Sequence, residues 1–395
     1  MLGRICIFLC FAMGSSLSHA GRLVTYDKSA VVQNEYVVVF SDDKAQASRA
    51  VSYLTEAEKG GKLRIIDRWT TVINGAWVEI ADPEIARMIS TDMGVETVYQ
   101  NKRMIQSATQ LNARPHLARL SQRNLPMGTT YTYSYTGNGA HAYVVDSGIR
   151  TTHEEFKTNG VSRADNVYFM PGLGPSTMSD HATMMASVIG GNTYGVAKKI
   201  KLHGVVIGVG ESRTTAGTIS GLNWIGSNGI RPAVVSLSSN GGVPATTTAL
   251  NNLAGLGFFI AVSAGNSDSN ICDDAVAGAS EVFTVSGVGT DDARGSGAYP
   301  AGYGPCVDAF AEYGVYGATA LSDTTVLPDV GTSFAAPVAA GLASFYIESG
   351  YLTGWSLYSV HNVIKAELIN IASPAATNVP AGTTNRILYS VTAGN

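Results

Sequence analysis

The stretch SDHATMMAS, residues 179–187, places His181 among small and apolar residues, directly after Asp180. A histidine can move protons near neutral pH, so His181 reads either as a general base or as a buried structural ring. Ser333 raises a matching question. In VGTSFAAPVAAGLASFYIESG, residues 330–350, it follows a Gly-Thr turn and opens an apolar helix. A serine there is ordinarily a helix cap. Two details leave scope for more. Gly331, Ala335 and Ala336 leave space around the hydroxyl, and a helix N-terminus offers free amides and a positive dipole end that favour negative charge. Pro337 is expected in the first turn, where a missing amide hydrogen costs least. Asp146 in AHAYVVDSG and Asn266 in SAGN each close an apolar run, and each alone reads as a turn residue.

The elements that must position these residues follow from patterning. AHAYVVDSG, IKLHGVVIG, AVVSLS, GFFIAVSAG and EVFTVSGV read as buried strands, with helical stretches between them such as TTAGTISGLNWIGSNG at 214–229. Near-continuous valine and isoleucine runs separated by helices predict a mainly parallel sheet covered on both faces. Ligands on such sheets gather at the carboxyl ends of the strands, where Asp146 and Asn266 fall. Residues 21–107 differ in character. EYVVVF at 35–40 and GAWVEI at 75–80 read as strands, and VETVYQNKRM as a closing strand. An amphipathic helix is expected over 44–61. A second is expected over 82–94, with Asp82 as cap, Pro83 at the first position and Gly94 just past the end. This order predicts a small α/β sandwich, followed by QSATQLNARPHL as an exposed linker.

Composition limits the function classes. The 395 residues are 45% hydrophobic and only 14% charged, which excludes a disordered chain and allows one large core plus a smaller domain. A formal charge of -4 gives no basic footprint, so no nucleic-acid partner is expected. Residues 1–20 carry Arg4, an apolar run from Ile5 to Met13, and small polar residues ending at Ala20, the pattern of a secretory signal peptide. The run is too short to span a bilayer, and no membrane segment is expected later. Cys6 and Cys10 leave with that peptide. Cys272 and Cys306 then remain in an oxidising compartment, where a pair should be bridged.

Four blocks in order carry a resemblance. AYVVDSGIRTTHEEF, HATMMASVIGG followed by YGVAKKIKLHGV, SAGN, and GTSFAAP resemble the signatures of the subtilisin-like serine proteases, most closely the secreted proteinase K and aqualysin-like branch. The similarity runs from about Leu111 to the C-terminus, and the leading segment resembles the family's inhibitory propeptide. The chain order aspartate, histidine, serine is also that family's order. The resemblance implies a three-layer αβα fold for residues 108–395, preceded by a propeptide over 21–107. It implies Ser333 as nucleophile, His181 as the base that takes its proton, and Asp146 as the group that orients the imidazole. Asn266 and the backbone amide of Ser333 would form the oxyanion hole. Ser238, Ser239, Asn240, Gly241, Ala264 and Gly265 would bind substrate. The implied product is a secreted, monomeric endopeptidase acting on polypeptides, made as a zymogen that cuts itself near Ser107. No cofactor is required for that chemistry.

Several positions depart from the family pattern. Where relatives read HGTHVAG this chain has Ala182, Met184 and Ser187; where they read SLGG it has Asn240; and FAPG becomes FAEY at 310–313. A misplaced imidazole can cost about 100-fold in rate. The competing reading is therefore a catalytically silent homologue that binds polypeptides, with an esterase as a third. By the same resemblance, Asp308 with the carbonyls of Ser280 and Val282 is either a structural calcium site or a solvated surface aspartate with two ordinary carbonyls.

Overall fold

The computed structural model describes residues 22–25, 31–102, 107–210 and 212–390. The expected signal peptide, residues 1–20, lies outside them. The chain divides into two compact units, Met1–Met104 and Ile105–Asn395.

The leading unit is a five-stranded sheet with two helices, Lys44–Lys59 and Pro83–Ser90. Val38, Leu54, Val78, Ile89 and Val98 fill its core. Asp82 caps the second helix, as its sequence predicts, by accepting the Glu84 amide at 3.0 Å. That helix stops at Ser90, short of Gly94. Gly94 serves packing instead: a Cβ there would lie 2.1 Å from the Gln46 carbonyl oxygen. Two strands escape a hydrophobicity reading, Arg22–Val24 and Arg64–Trp69. The second, RIIDRW, has three exposed charged residues, two of them adjacent, so it lacks clean alternation.

In the large unit a nine-stranded sheet is built from β1 (His141–Asp146), β2 (Ala164–Phe169), β3 (Lys201–Val206), β4 (Ala233–Leu237), β5 (Phe258–Ser263), β6 (Phe283–Val288), β7 (Ala309–Glu312), β8 (Ser373–Pro374) and β9 (Arg386–Ile387). Their spatial order is β2-β3-β1-β4-β5-β6-β7-β9-β8. All neighbours are parallel except the edge pair β8 and β9. Both faces are covered, which explains the unbroken apolar runs. Along β1, Ala142 and Val144 face one core, and Tyr143 and Val145 face the other. Helices α1 (Asp180–Gly190), α4 (Thr332–Glu348) and α5 (Val360–Ile371) contribute Val188, Leu342 and Leu368 to the first core. Helices α2 (Thr215–Asn228) and α3 (Pro244–Ala254) contribute Leu222 and Leu253 to the second. The expected three-layer αβα arrangement with a mainly parallel sheet is therefore present.

This topology creates a switch point. From β1 the chain builds β2 and β3 on one side, then returns to place β4 on the other side of β1. Connections leave in opposite directions there, which opens a crevice at the carboxyl ends of β1 and β4. Asp146 ends β1, and Ser238 follows β4.

The expected linker is not a free strap. Ala108–Leu111 pairs antiparallel with Thr130–Tyr133, and Pro115–Ala118 is a helical turn with His116 and Leu117 buried. The alternation in ATQL is too short to register as a strand until its partner is known.

Candidate active site

A cleft of about 590 Å³ opens at the switch point. His181, Ser333, Asn266, Ser238, Ser239, Asn240 and Gly241 all line it. Asp146 lies behind it, fully buried. Ala264 is buried beneath the wall, and Gly265 sits against Asn240, so neither of these expected substrate contacts lines the cleft itself.

His181 is the second residue of α1. Ser179 starts that helix by accepting the Ala182 amide at 3.1 Å. The altered residues around His181 leave the helix intact. Ala182 is buried, and Met184 packs where Gly317 makes room: a Cβ on Gly317 would come within 2.6 Å of Met184 Cγ. His181 Nδ1 lies 2.9 Å from Asp146 Oδ2. With the proton on Nδ1, the ring's Nε2 is left as the basic nitrogen.

Asp146 is held on both oxygens. Its Oδ1 accepts from the Ser147 amide at 2.7 Å and the Ser147 hydroxyl at 2.9 Å. Its Oδ2 also accepts from Arg213 Nη1 at 2.7 Å. Burial opposes the charge, but His181, Arg213 and the Ser147 amide together hold this carboxyl below its usual range. The group therefore stabilises the fold above about pH 4, and that contribution fades as acid protonates it. Arg213, just before the Thr214 cap of α2, was not legible as a site residue: a lone arginine in ESRTT carries no pattern.

Ser333 is the second residue of α4, which begins after Gly331. Gly331 has φ +150°, and a Cβ there would lie 3.4 Å from Asn266 Nδ2. Thr332 locks Asn266: its amide and hydroxyl donate to Asn266 Oδ1 at 2.9 and 3.1 Å. The carbonyl end of the side chain is occupied, so its NH₂ end is the one presented beside Gly331. Pro337 is not in the first turn, contrary to expectation. It is the sixth helical residue, so the amide it lacks is the one that would have bonded the Ser333 carbonyl. The Ser238 hydroxyl takes that carbonyl instead, at 2.7 Å.

The substrate-side wall is similarly tied. Asn240 Nδ2 donates to the Ser263 carbonyl at 3.0 Å, and its Oδ1 sits where a side chain on Gly265 would come within 3.1 Å. The Gly241 amide donates to Asp274 Oδ2, two residues after Cys272. Cys272 and Cys306 are joined in a disulfide. It pins the loop that carries Asp274 and so supports the 238–241 segment. Replacing both cysteines by serine is expected to lower stability by about 3–4 kcal/mol, from the loop of 34 residues released. Urea unfolding of the oxidised and Cys-free proteins measures this directly.

The residues expected to bind calcium do not fit it. Lys365 Nζ donates to the Val282 carbonyl at 2.8 Å and to Asp308 Oδ2 at 2.9 Å. Two of the three expected oxygens thus already hold a cation from α5. Nor is Asp308 a solvated surface carboxylate: its side chain is 14% exposed, and burial pushes its carboxyl up despite Lys365. Glu312, in the departing FAEY segment, is buried in β7, where burial raises its carboxyl to about 8.

Residues 137–388 match the model of the subtilase family, Peptidase_S8. The chain belongs to the subtilase family. Among curated proteins it is 33% identical to an extracellular serine proteinase of Thermus sp. over 82% of this chain and 78% of that protein. It is 35% identical to a cuticle-degrading serine protease of Arthrobotrys oligospora, over 75% and 73% respectively. A crystal structure of a cold-adapted subtilisin-like serine proteinase superposes with a TM-score of 0.64 at 32% identity, covering 71% of this chain and 99% of that one. This subtilase is accordingly a serine endopeptidase of the subtilisin-like class. Among its described residues, no helix is long and apolar enough to cross a membrane.

Proposed function

We propose that this subtilase hydrolyses peptide bonds in polypeptides through Asp146, His181 and Ser333, with no cofactor in the chemistry. The observation that carries the reading is the 2.9 Å contact between His181 Nδ1 and the buried Asp146, with Ser333 and Asn266 lining the same cleft. Ser333 Oγ attacks the substrate carbonyl carbon as its proton passes to His181 Nε2. Asp146 stabilises the resulting imidazolium. The oxyanion accepts from Asn266 Nδ2 and the Ser333 amide. Collapse of the tetrahedral species expels the amine, which takes the proton from Nε2 and leaves Ser333 acylated. Water then repeats the sequence, giving its proton to Nε2, and the acid leaves with Ser333 Oγ reprotonated. A fluorophosphonate probe tests the reading: rapid labelling of Ser333 is expected. No labelling by a folded protein would instead support a silent polypeptide-binding homologue.

Secretion, an inhibitory leading unit over 21–107, self-processing near Ser107 and a monomeric state belong to the same proposal. An extracellular name among the relatives supports secretion. The compact unit ending at Met104 supports a separable leading segment.

The rate should depend on pH through His181. Peptide hydrolysis needs the neutral imidazole, so it should rise with pH across about 6–7, the range of an ordinary histidine. Asp146, held low, stays ionised throughout and adds no second step there. A rate flat from about pH 5 to 9, with chemistry limiting, would remove His181 from the role of base.

Asn240 should narrow the pocket for the residue before the scissile bond. Its side chain lines the cleft and bridges the ends of β4 and β5, where a glycine would leave the wall open. Small or polar side chains should be preferred. Asn240→Gly should raise relative kcat/KM for phenylalanine and tyrosine by roughly 10–200-fold. A peptide series varying only that residue measures it. Equal profiles for both proteins would show that Asn240 does not set this preference.

A further inference from the structure

We propose that Lys365 is a tethered cation that stands in place of a metal ion at Asp308: with the ammonium there the residues do not fit calcium, and removing it frees the same oxygens to take one. Lys365 lies on α5, and its ammonium reaches across to the starts of β6 and β7. There it meets the Val282 carbonyl at 2.8 Å and Asp308 Oδ2 at 2.9 Å. Both side chains are mostly buried, 23% exposed for Lys365 and 14% for Asp308. The Thr284 amide holds the same Asp308 oxygen at 2.9 Å, which fixes the carboxylate in place.

Calcium takes six to eight oxygens at roughly 2.3–2.6 Å. An ion at that distance from both Val282 O and Asp308 Oδ2 would compete with the ammonium for the same two oxygens. The two cations therefore exclude each other. Lys365 has one charge to the ion's two, but it is covalently attached, so its occupancy does not depend on free calcium. A free ion stabilises the fold only in proportion to the logarithm of its concentration over Kd. The tethered lysine removes that dependence and replaces it with a fixed ion pair.

The test is thermal unfolding of the full chain, in a Ser333→Ala background to prevent self-digestion, with chelator and with calcium chloride on the order of 10 mM. With Lys365 present, Tm should respond to calcium no differently from an Asp308→Asn variant, because no ion enters at Asp308. Lys365→Ser leaves the buried carboxylate without a cation, so Tm in chelator should fall by about 5 °C or more. Calcium should restore much of that loss saturably, and adding Asp308→Asn to Lys365→Ser should abolish the rescue. Magnesium, smaller and reluctant to shed water, should rescue less. Two results overturn the inference: a calcium-dependent Tm in the Lys365 protein that Asp308→Asn removes, or a Lys365→Ser protein indifferent to calcium. The first needs no Lys365 variant to fold.

Discussion

Ser333→Ala is expected to lower kcat for peptide hydrolysis by on the order of 10⁶-fold, with the fold unchanged. Alanine keeps the start of α4, the Gly331 conformation and the Thr332 lock on Asn266, none of which uses the Ser333 hydroxyl. It removes only the atom that attacks. The residual rate should reflect the oxyanion donors acting on water. The same variant should stay as one uncut chain when expressed alone, whereas the parent should show a new N-terminus between about residues 104 and 110, by the propeptide resemblance argued above. Steady-state kinetics and N-terminal sequencing read the two consequences. Equal processing in the variant would assign the cut to another protease.

Asp146→Asn should cost about 10⁴-fold in kcat while leaving KM little changed. The carboxamide is close in size, so packing under β1 survives. Its charge does not. Asn presents either a carbonyl oxygen or an NH₂ to His181, and the second choice forces the imidazole proton onto Nε2, where it cannot act as a base. The adjacent Arg213 sharpens the effect. With the carboxylate gone, its guanidinium remains beside an imidazole that must become cationic during the reaction. Single-turnover measurements separate this loss of chemistry from any change in binding.

The sequence and the structure agree where local patterning and shared signatures carry the information. The strand ending at Asp146, the strand just before Asn266, the helix opening around Ser333 and the cap at Asp82 all fall where residue patterns place them. Features set by distant partners were not legible. Nothing in ESRTT announces that Arg213 meets Asp146, 67 residues earlier. Nothing in VHNVIKAELIN announces that Lys365 meets Asp308 across 57 residues. Counting helical positions from Ser333 would have needed the true start at Thr332 to place Pro337 correctly. Strands such as RIIDRW and ATQL are short or charged and gain their identity only from the neighbour they pair with.

Pro337 and Ser238 make the unfolding of the nucleophile a collective event. In an uninterrupted helix the first turns fray on their own, because each carbonyl waits on an amide four residues along the same segment. Here the Ser333 carbonyl answers to a hydroxyl from the segment that follows β4. The first turn of α4 cannot loosen without also releasing that segment, which is anchored in turn through Gly241 to the disulfide-bonded loop. Amide exchange at this end of α4 should therefore be slow for a helix terminus. For a protease exposed to its own copies, such cooperativity amounts to resistance: the segment most worth cutting is rarely presented as a flexible chain.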